Sequence, residues 1–176
     1  MTDTVTETTV VTRDGTTGIV LRQEHKLNDR LQSNGDKPAV IEYSQSTGKV
    51  SREAYYQNGK VHRDGDKPAV IVYSQSTGKV SYEVYYQNDK MHRGGDKPAF
   101  IQYDLATNAV KYEQYYRNDE PHRDSGKPAF ICYDPASGKV ICEEYFQDGK
   151  RVSPPVEALR PSKARDAAIG TPAPAG

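Results

Sequence analysis

The chain repeats itself every thirty residues. Asp-Lys-Pro-Ala begins at Asp36, Asp66 and Asp96, and Gly126-Lys-Pro-Ala continues the series. Self-similarity at this period marks a stack of supersecondary units, each burying its apolar groups only against its neighbours. It constrains architecture far more than chemistry.

Each unit reads as strand and turn. Pro68-Ala-Val-Ile-Val-Tyr73 is rich in β-branched residues and carries its proline at a strand start, where no ladder N–H is lost. Ser74 to Lys79 is turn chemistry, and Val80 to Gln87 is a second strand. Asn88-Asp89 then punctuates, and Lys90-Met-His-Arg93 leads through Gly94-Gly-Asp-Lys97 to the next proline.

Two turns recur at fixed offsets. Gly48, Gly78, Asn108 and Gly138 occupy a site that selects a left-handed backbone. In the last copy Pro135 suits a type I start, so a loop from Pro135 to Gly138 closes on Asp134 and Lys139. The second turn is Asn58-Gly59, Asn88-Asp89, Asn118-Asp119 and Asp148-Gly149, the signature of a two-residue type I′ hairpin. The expected fold is therefore all-β: an elongated, single-layer antiparallel meander with two strands per repeat and no helix between residues 38 and 150.

A degenerate copy precedes the clear ones. Thr17-Gly18-Ile-Val20 matches Thr47-Gly48-Lys-Val50, and Asn28-Asp29 matches Asn58-Gly59. This gives five repeats at about 5–34, 35–64, 65–94, 95–124 and 125–152, the first atypical as terminal caps are. Residues 1–152 form the repeat domain. Ten strands at about 4.8 Å give a sheet roughly 48 Å long. Beyond it, 153–176 is a tail: Val156 to Arg160 and Ser162 to Ile169 read as short helical turns covering the last strand edge, and Gly170 to Gly176 as disordered.

A regular register with the four-residue loop sets Tyr43 opposite Val50 and Ile41 opposite Arg52. One face then carries Ala39, Ile41, Tyr43, Val50 and Tyr56 as packing surface. The other carries Val40, Glu53, Tyr55 and His62 as an aromatic and polar ladder. A slip of one residue exchanges these faces. The same register places Cys132 opposite Ile141, so Cys132 and Cys142 point to opposite faces and are not expected to bond.

Composition narrows the function. Lys plus Arg equals Asp plus Glu at 24 each, which removes the electrostatic drive to nucleic acid or anionic membrane. Leu, Ile, Val and Phe total only 30 of 176 residues, so the thirteen tyrosines must supply much of the buried area. The Thr-rich start lacks an apolar leader and no stretch is long enough to span a bilayer. A cytoplasmic protein is expected, in a bacterium or an infected host cell.

Residues with catalytic potential recur instead of converging. His62, His92 and His122 lie two strands apart, roughly 9.6 Å, whereas ligands of one metal sit about 2 Å from it. They are expected to pack across strands on Tyr55, Tyr85 and Tyr115. The ladder Glu53, Glu83, Glu113, Glu143 is spaced too widely for a paired acid and base, and a local ion pair of Glu53 with Arg63 or a lysine is expected. Stacking of bases on the tyrosine ladder lacks an accompanying basic stripe. No enzymatic activity, cofactor or metal is expected.

The run Gly59-Lys-Val-His-Arg-Asp-Gly-Asp-Lys-Pro-Ala69, following Glu53-Ala-Tyr-Tyr56, resembles MORN-type repeats of the variant class, over about 145 residues. Asp66-Lys67, inserted between Gly65 and Pro68, departs from that pattern, and the unit is longer than the usual one. Such repeats occur in bacterial proteins described as antitoxins and in phage and giant-virus proteins. The resemblance implies a protein-interaction module that blocks a toxin or a host defence protein. The alternatives are a phospholipid contact and a structural scaffold. Pairing of exposed sheet edges into a homo-oligomer is a further possible association.

Recognition is expected where repeats differ. The varying series are Arg52, Tyr82, Tyr112, Cys142, then Ala54, Val84, Gln114, Glu144, then Glu42, Val72, Gln102, Cys132. Arg52, Tyr82, Tyr86, Tyr112, Gln114 and Glu144 are the candidate contact residues, with Tyr82, Tyr86 and Tyr112 as anchors because aromatic side chains dominate binding hot spots.

Overall fold

Turn chemistry at fixed intervals folds the chain back on itself without a crossover. The computed structural model describes residues 5–159. Ten strands lie in chain order in one antiparallel sheet: Glu7–Arg13, Val20–Leu27, Val40–Tyr43, Val50–Ala54, Val70–Tyr73, Val80–Val84, Phe100–Tyr103, Val110–Gln114, Phe130–Tyr133 and Val140–Glu144. A further two-residue strand, Arg30–Leu31, joins the end of Val20–Leu27. The only helix among the described residues is a short 3₁₀ turn, Val156–Leu159. It matches part of the expected tail; Ser162 to Ile169 lie outside the described residues. No described helix is long and apolar enough to cross a membrane.

Both predicted turns form. Asp134 N–H donates to Lys139 O at 2.8 Å, closing the four-residue loop, and Gly138 adopts φ 68°. The Asp134 carboxylate accepts from Ser137 N–H and Oγ inside the loop, which pins it. At the two-residue turns both residues have positive φ: 52° and 80° at Asn58-Gly59, 51° and 65° at Asn88-Asp89. That is the type I′ geometry whose twist matches the strands it joins.

In the four later repeats the second strand does not run through, as the sequence reading had it. It ends before Tyr55, Tyr85, Tyr115 or Tyr145, and the chain peels away into a short hairpin such as Tyr56–Gln57 with Lys60–Val61. These hairpins hold one another by their turns. Asp89 N–H donates to Val61 O, Asp119 N–H to Met91 O and Gly149 N–H to Pro121 O. The Asp89 and Asp119 carboxylates accept in return from Val61 N–H and Met91 N–H, each at 2.7 Å.

A β-bulge in every long hairpin overturns the expected register. Tyr43 pairs with Val50, but Glu42 pairs with Arg52 and Ile41 with Glu53, leaving Ser51 as the extra residue. The shift recurs at Val72/Tyr73, Gln102/Tyr103 and Cys132/Tyr133. One extra residue reverses the side-chain alternation, so the two faces exchange members. Val40 sits with Ala54 and Tyr56 in an apolar cluster with Val70 and Val84. Ile41 instead joins Glu53, and Tyr73 Oη donates to that same glutamate at 2.9 Å. The bulge also sets Cys132 opposite Cys142, Cα atoms 4.9 Å apart, and they are disulfide-bonded, contrary to expectation.

Apolar burial is modest, and Val40 is the largest side chain that is fully buried. The short hairpins provide the cover: Leu31, Tyr56, Val61, Tyr86 and Met91 pack on the Val40, Ala54, Val70, Val84 cluster. Their placement depends on the type I′ turns. Asp89→Ala forces a left-handed φ on a residue that avoids it and removes the acceptor of Val61 N–H, so it should destabilise by about 1–3 kcal/mol. Asp89→Gly, which removes only the acceptor, should fall near the lower end. Urea denaturation of the two variants measures the difference.

Candidate binding face

The two sheet faces differ in kind. One is nearly the same in every repeat. Ile41, Glu53, Ile71, Glu83, Ile101, Glu113, Ile131 and Glu143 follow one another as a row of directly paired residues. Glu53, Glu83 and Glu113 each accept a hydrogen bond from the tyrosine of the next repeat, Tyr73, Tyr103 and Tyr133, at 2.8–3.0 Å. The expected pairing of Glu53 with Arg63 is not made.

Arg63, Arg93 and Arg123 serve a different purpose. Each guanidinium carbon lies over the ring of Tyr55, Tyr85 or Tyr115 at 3.5, 3.6 and 3.7 Å. Each also donates to a carbonyl of the following repeat, Pro68, Pro98 or Pro128. Its charge is met by the aspartate near the start of its own repeat. Arg93 grips Asp66 through Nε at 2.6 Å and Nη2 at 3.3 Å, and Lys97 Nζ adds a third contact at 2.6 Å. Arg123 and Lys127 hold Asp96 in the same way, and Arg63 and Lys67 hold Asp36. The Asp-Lys pair is thus the clamp between repeats, since Lys97 of one repeat holds Asp66 of the one before.

The clamp stops where the repeats stop. In the last copy the aspartate is replaced by Gly126 and the arginine by Ser153. A Cβ at Gly126 would lie 3.6 Å from Pro155 Cγ, so the proline of the tail occupies the end of the series. The first copy has His25 and Ser33 at the tyrosine and arginine positions.

The histidines brace the short hairpins instead of packing on the tyrosine rings, which the arginines cover. His62 Nδ1 accepts from Asn88 N–H and its Nε2 donates to Asp64; His122 does the same with Asp148 N–H and Asp124. His92, which has Gly94 in place of that aspartate, leaves Nδ1 buried without a partner. No three His, Cys, Asp or Glu among the described residues are grouped to hold a metal.

The opposite face varies. Arg22, Glu42, Arg52, Val72, Tyr82, Gln102, Tyr112, Cys132 and Cys142 form one continuous row of directly paired residues. Gln114 and Glu144 lie in the adjoining row with Phe100 and Phe130. Tyr86 packs beside them from a short hairpin. The structure therefore gathers all six sequence candidates on one face. They are not equivalent. Arg52 is tied to Glu42 at 3.3 Å, and Arg22 holds the same carboxylate at 2.5 Å, which makes the N-terminal end an ion-pair network. Glu144 sits near the exposed sheet end, 3.9 Å from Arg151 Nε.

Between those ends the face is aromatic. Tyr82 and Phe100 have ring centroids 5.5 Å apart, Phe100 and Tyr112 6.5 Å, Tyr112 and Phe130 6.5 Å, and Phe130 and Phe146 4.7 Å. All are half-buried. Sequence reasoning missed the phenylalanines. Their signal was the change from Val40 and Val70 to Phe100 and Phe130 at one repeat position, which enlarges the surface in the later repeats.

No family model, no curated protein and no solved structure matches the chain.

The clamp fixes the response to acid. Hydrogen bonds from Arg93 and then Lys97 hold the Asp66 carboxyl far below its ordinary value. Those from Arg123 and Lys127 lower Asp96 to about 2, and Lys67 and Arg63 lower Asp36. A depressed folded-state pKa contributes stability above the unfolded value that disappears as pH falls through the folded one. The protein should therefore lose stability between about pH 4 and pH 2, and the Asp66→Asn, Asp96→Asn double variant should show a flatter profile there. Thermal melts across that range check it.

Proposed function

We propose that the chain is a non-enzymatic module that binds and blocks a protein partner through its variable face. One observation carries this reading: the aromatic strip from Tyr82 to Phe146 lies on the face where repeats differ, while the repeated face is occupied by bonds between repeats. A stacking surface needs the same residues each time, and a recognition surface gains from difference. Half-buried Tyr and Phe clusters supply contact area at low conformational-entropy cost. The likeness to MORN-type repeats supports a partner that is a toxin or a defence protein, the relation of an antitoxin or a phage inhibitor.

Phe100 joins Tyr82 and Tyr112 as the centre of the contact, and Gln114 lies at its border. Arg52 and Glu144 flank it, since exposed charges at a rim contribute little affinity.

Affinity capture with the wild-type chain and with the Tyr82→Ala, Tyr112→Ala double variant tests the reading, with folding followed by circular dichroism. Loss of two half-buried aromatic anchors should weaken binding of the captured partner by about thirtyfold or more. Unchanged affinity in a folded variant would refute the assignment of the face. Flotation of the wild-type chain with anionic phospholipid vesicles would refute the protein-partner reading in favour of lipid contact.

A further inference from the structure

The two ends of the sheet are finished differently. At the C-terminal end Pro154 and Ala158 lie with Val140, Ile141, Cys142 and Tyr145 around one shallow cavity, so the tail returns beside the last strand. At the N-terminal end no described strand lies outside Glu7–Arg13. This strand has seven residues, Glu-Thr-Thr-Val-Val-Thr-Arg, without proline or bulge of its own. Val10 and Val11 are each 42 % exposed. Natural edge strands avoid such a combination, because a straight β-branched edge is a template for a further strand.

We propose that this edge pairs antiparallel with the same edge of a second copy, about a two-fold axis at Val10. Hydrogen-bond parity allows it. Thr6 O accepts from Asn28 N–H and Asp14 N–H donates to Ile19 O, so the even-numbered residues bond inward to Val20–Leu27. In an antiparallel ladder, alternate residues bond to opposite sides. Glu7, Thr9, Val11 and Arg13 therefore present their N–H and C=O groups to the open edge. A two-fold axis at Val10 places odd residues opposite odd: Thr9 meets Val11 and Glu7 meets Arg13 of the second copy.

The side chains agree with this register. Glu7 and Arg13 share the parity of Val11, which pairs with Gln23, so opposite charges meet at both ends of the pairing. Glu7 uses one oxygen on His25, and Arg13 uses one nitrogen on Gly18 O, leaving a free oxygen and several N–H groups for the new bond. Val10 meets its own copy, and Thr8 meets Thr12, both pairs of β-branched residues that pack well across strands. An axis perpendicular to the sheet keeps like faces together. The dimer is a continuous sheet of twice ten strands that shows two copies of the variable face on one side.

Sedimentation equilibrium of the full chain over a concentration series tests this. The wild type should be a dimer in equilibrium with monomer. Val11→Pro removes only an outward N–H, so the fold is kept and the dimer lost. Glu7→Arg and Arg13→Glu each place like charges opposite one another and should weaken association about tenfold. An equimolar mixture of these two single variants should restore it, a rescue that damage to the strand cannot produce. A wild type that stays monomeric to millimolar concentration would overturn the proposal. So would a dimer unaffected by Val11→Pro, or single variants that the mixture fails to rescue.

Discussion

A guanidinium held between the tyrosine ring and aspartate of its own repeat and a proline carbonyl of the next is the contact on which this structure depends. A single-layer sheet has no second layer to bury an apolar face, and here the apolar clusters are small. Strand pairing alone would let one repeat slide or tilt on the next. Arg63, Arg93 and Arg123 each join three partners: the ring and the carboxylate of their own repeat and a proline carbonyl of the next. The arginine side chains are only 13–14 % exposed, so they are screened less than ordinary surface ion pairs. Cation–π stacking adds roughly 0.5–1 kcal/mol at each. The tyrosine–glutamate bonds on the same face repeat the coupling. Tyr115, pushed up to about 12 by burial and by Glu113, stays a protonated donor across the physiological range.

This division of labour frees the other face. The clamp residues are the same in successive repeats because each must fit the next. On the opposite face, position 52 and its counterparts change from Arg52 to Tyr82, Tyr112 and Cys142 without altering a backbone pairing. The result runs from an ion-pair network at Arg22, Glu42 and Arg52 to an aromatic strip and then a disulfide at the last strand pair. Variation is tolerated because the residues of the row from Arg22 to Cys142 are half-buried and bear no inter-repeat bond of the clamp type.

Turns were legible in the sequence because their residues have special backbone needs: Asn58-Gly59 and Gly138 announce positive φ, and the order of the ten strands of the main sheet followed. The bulge was not legible. Its extra residue is Ser51, Ser81, Lys111 or Ile141, and none of these types marks a bulge. Missing it moved Val40 and Ile41 to the wrong faces and separated Cys132 from Cys142. The variable series still emerged, since it is read from differences between repeats at fixed offsets and needs no register. Clamps stayed hidden for another reason. Asp66 and Arg93 are 27 residues apart, and identical repeats give no local sign of which copy supplies the partner.

A double-mutant cycle at Asp66 and Arg93, read by urea denaturation, tests the central claim most directly. If the aspartate holds the arginine that reaches the Pro98 carbonyl of the next repeat, the double alanine variant will be less destabilised than the sum of the two single variants. The coupling should be about 0.5–1 kcal/mol, reduced by the partial exposure of the carboxylate. Strict additivity would contradict the account, because the aspartate would then not hold the arginine that reaches the next repeat.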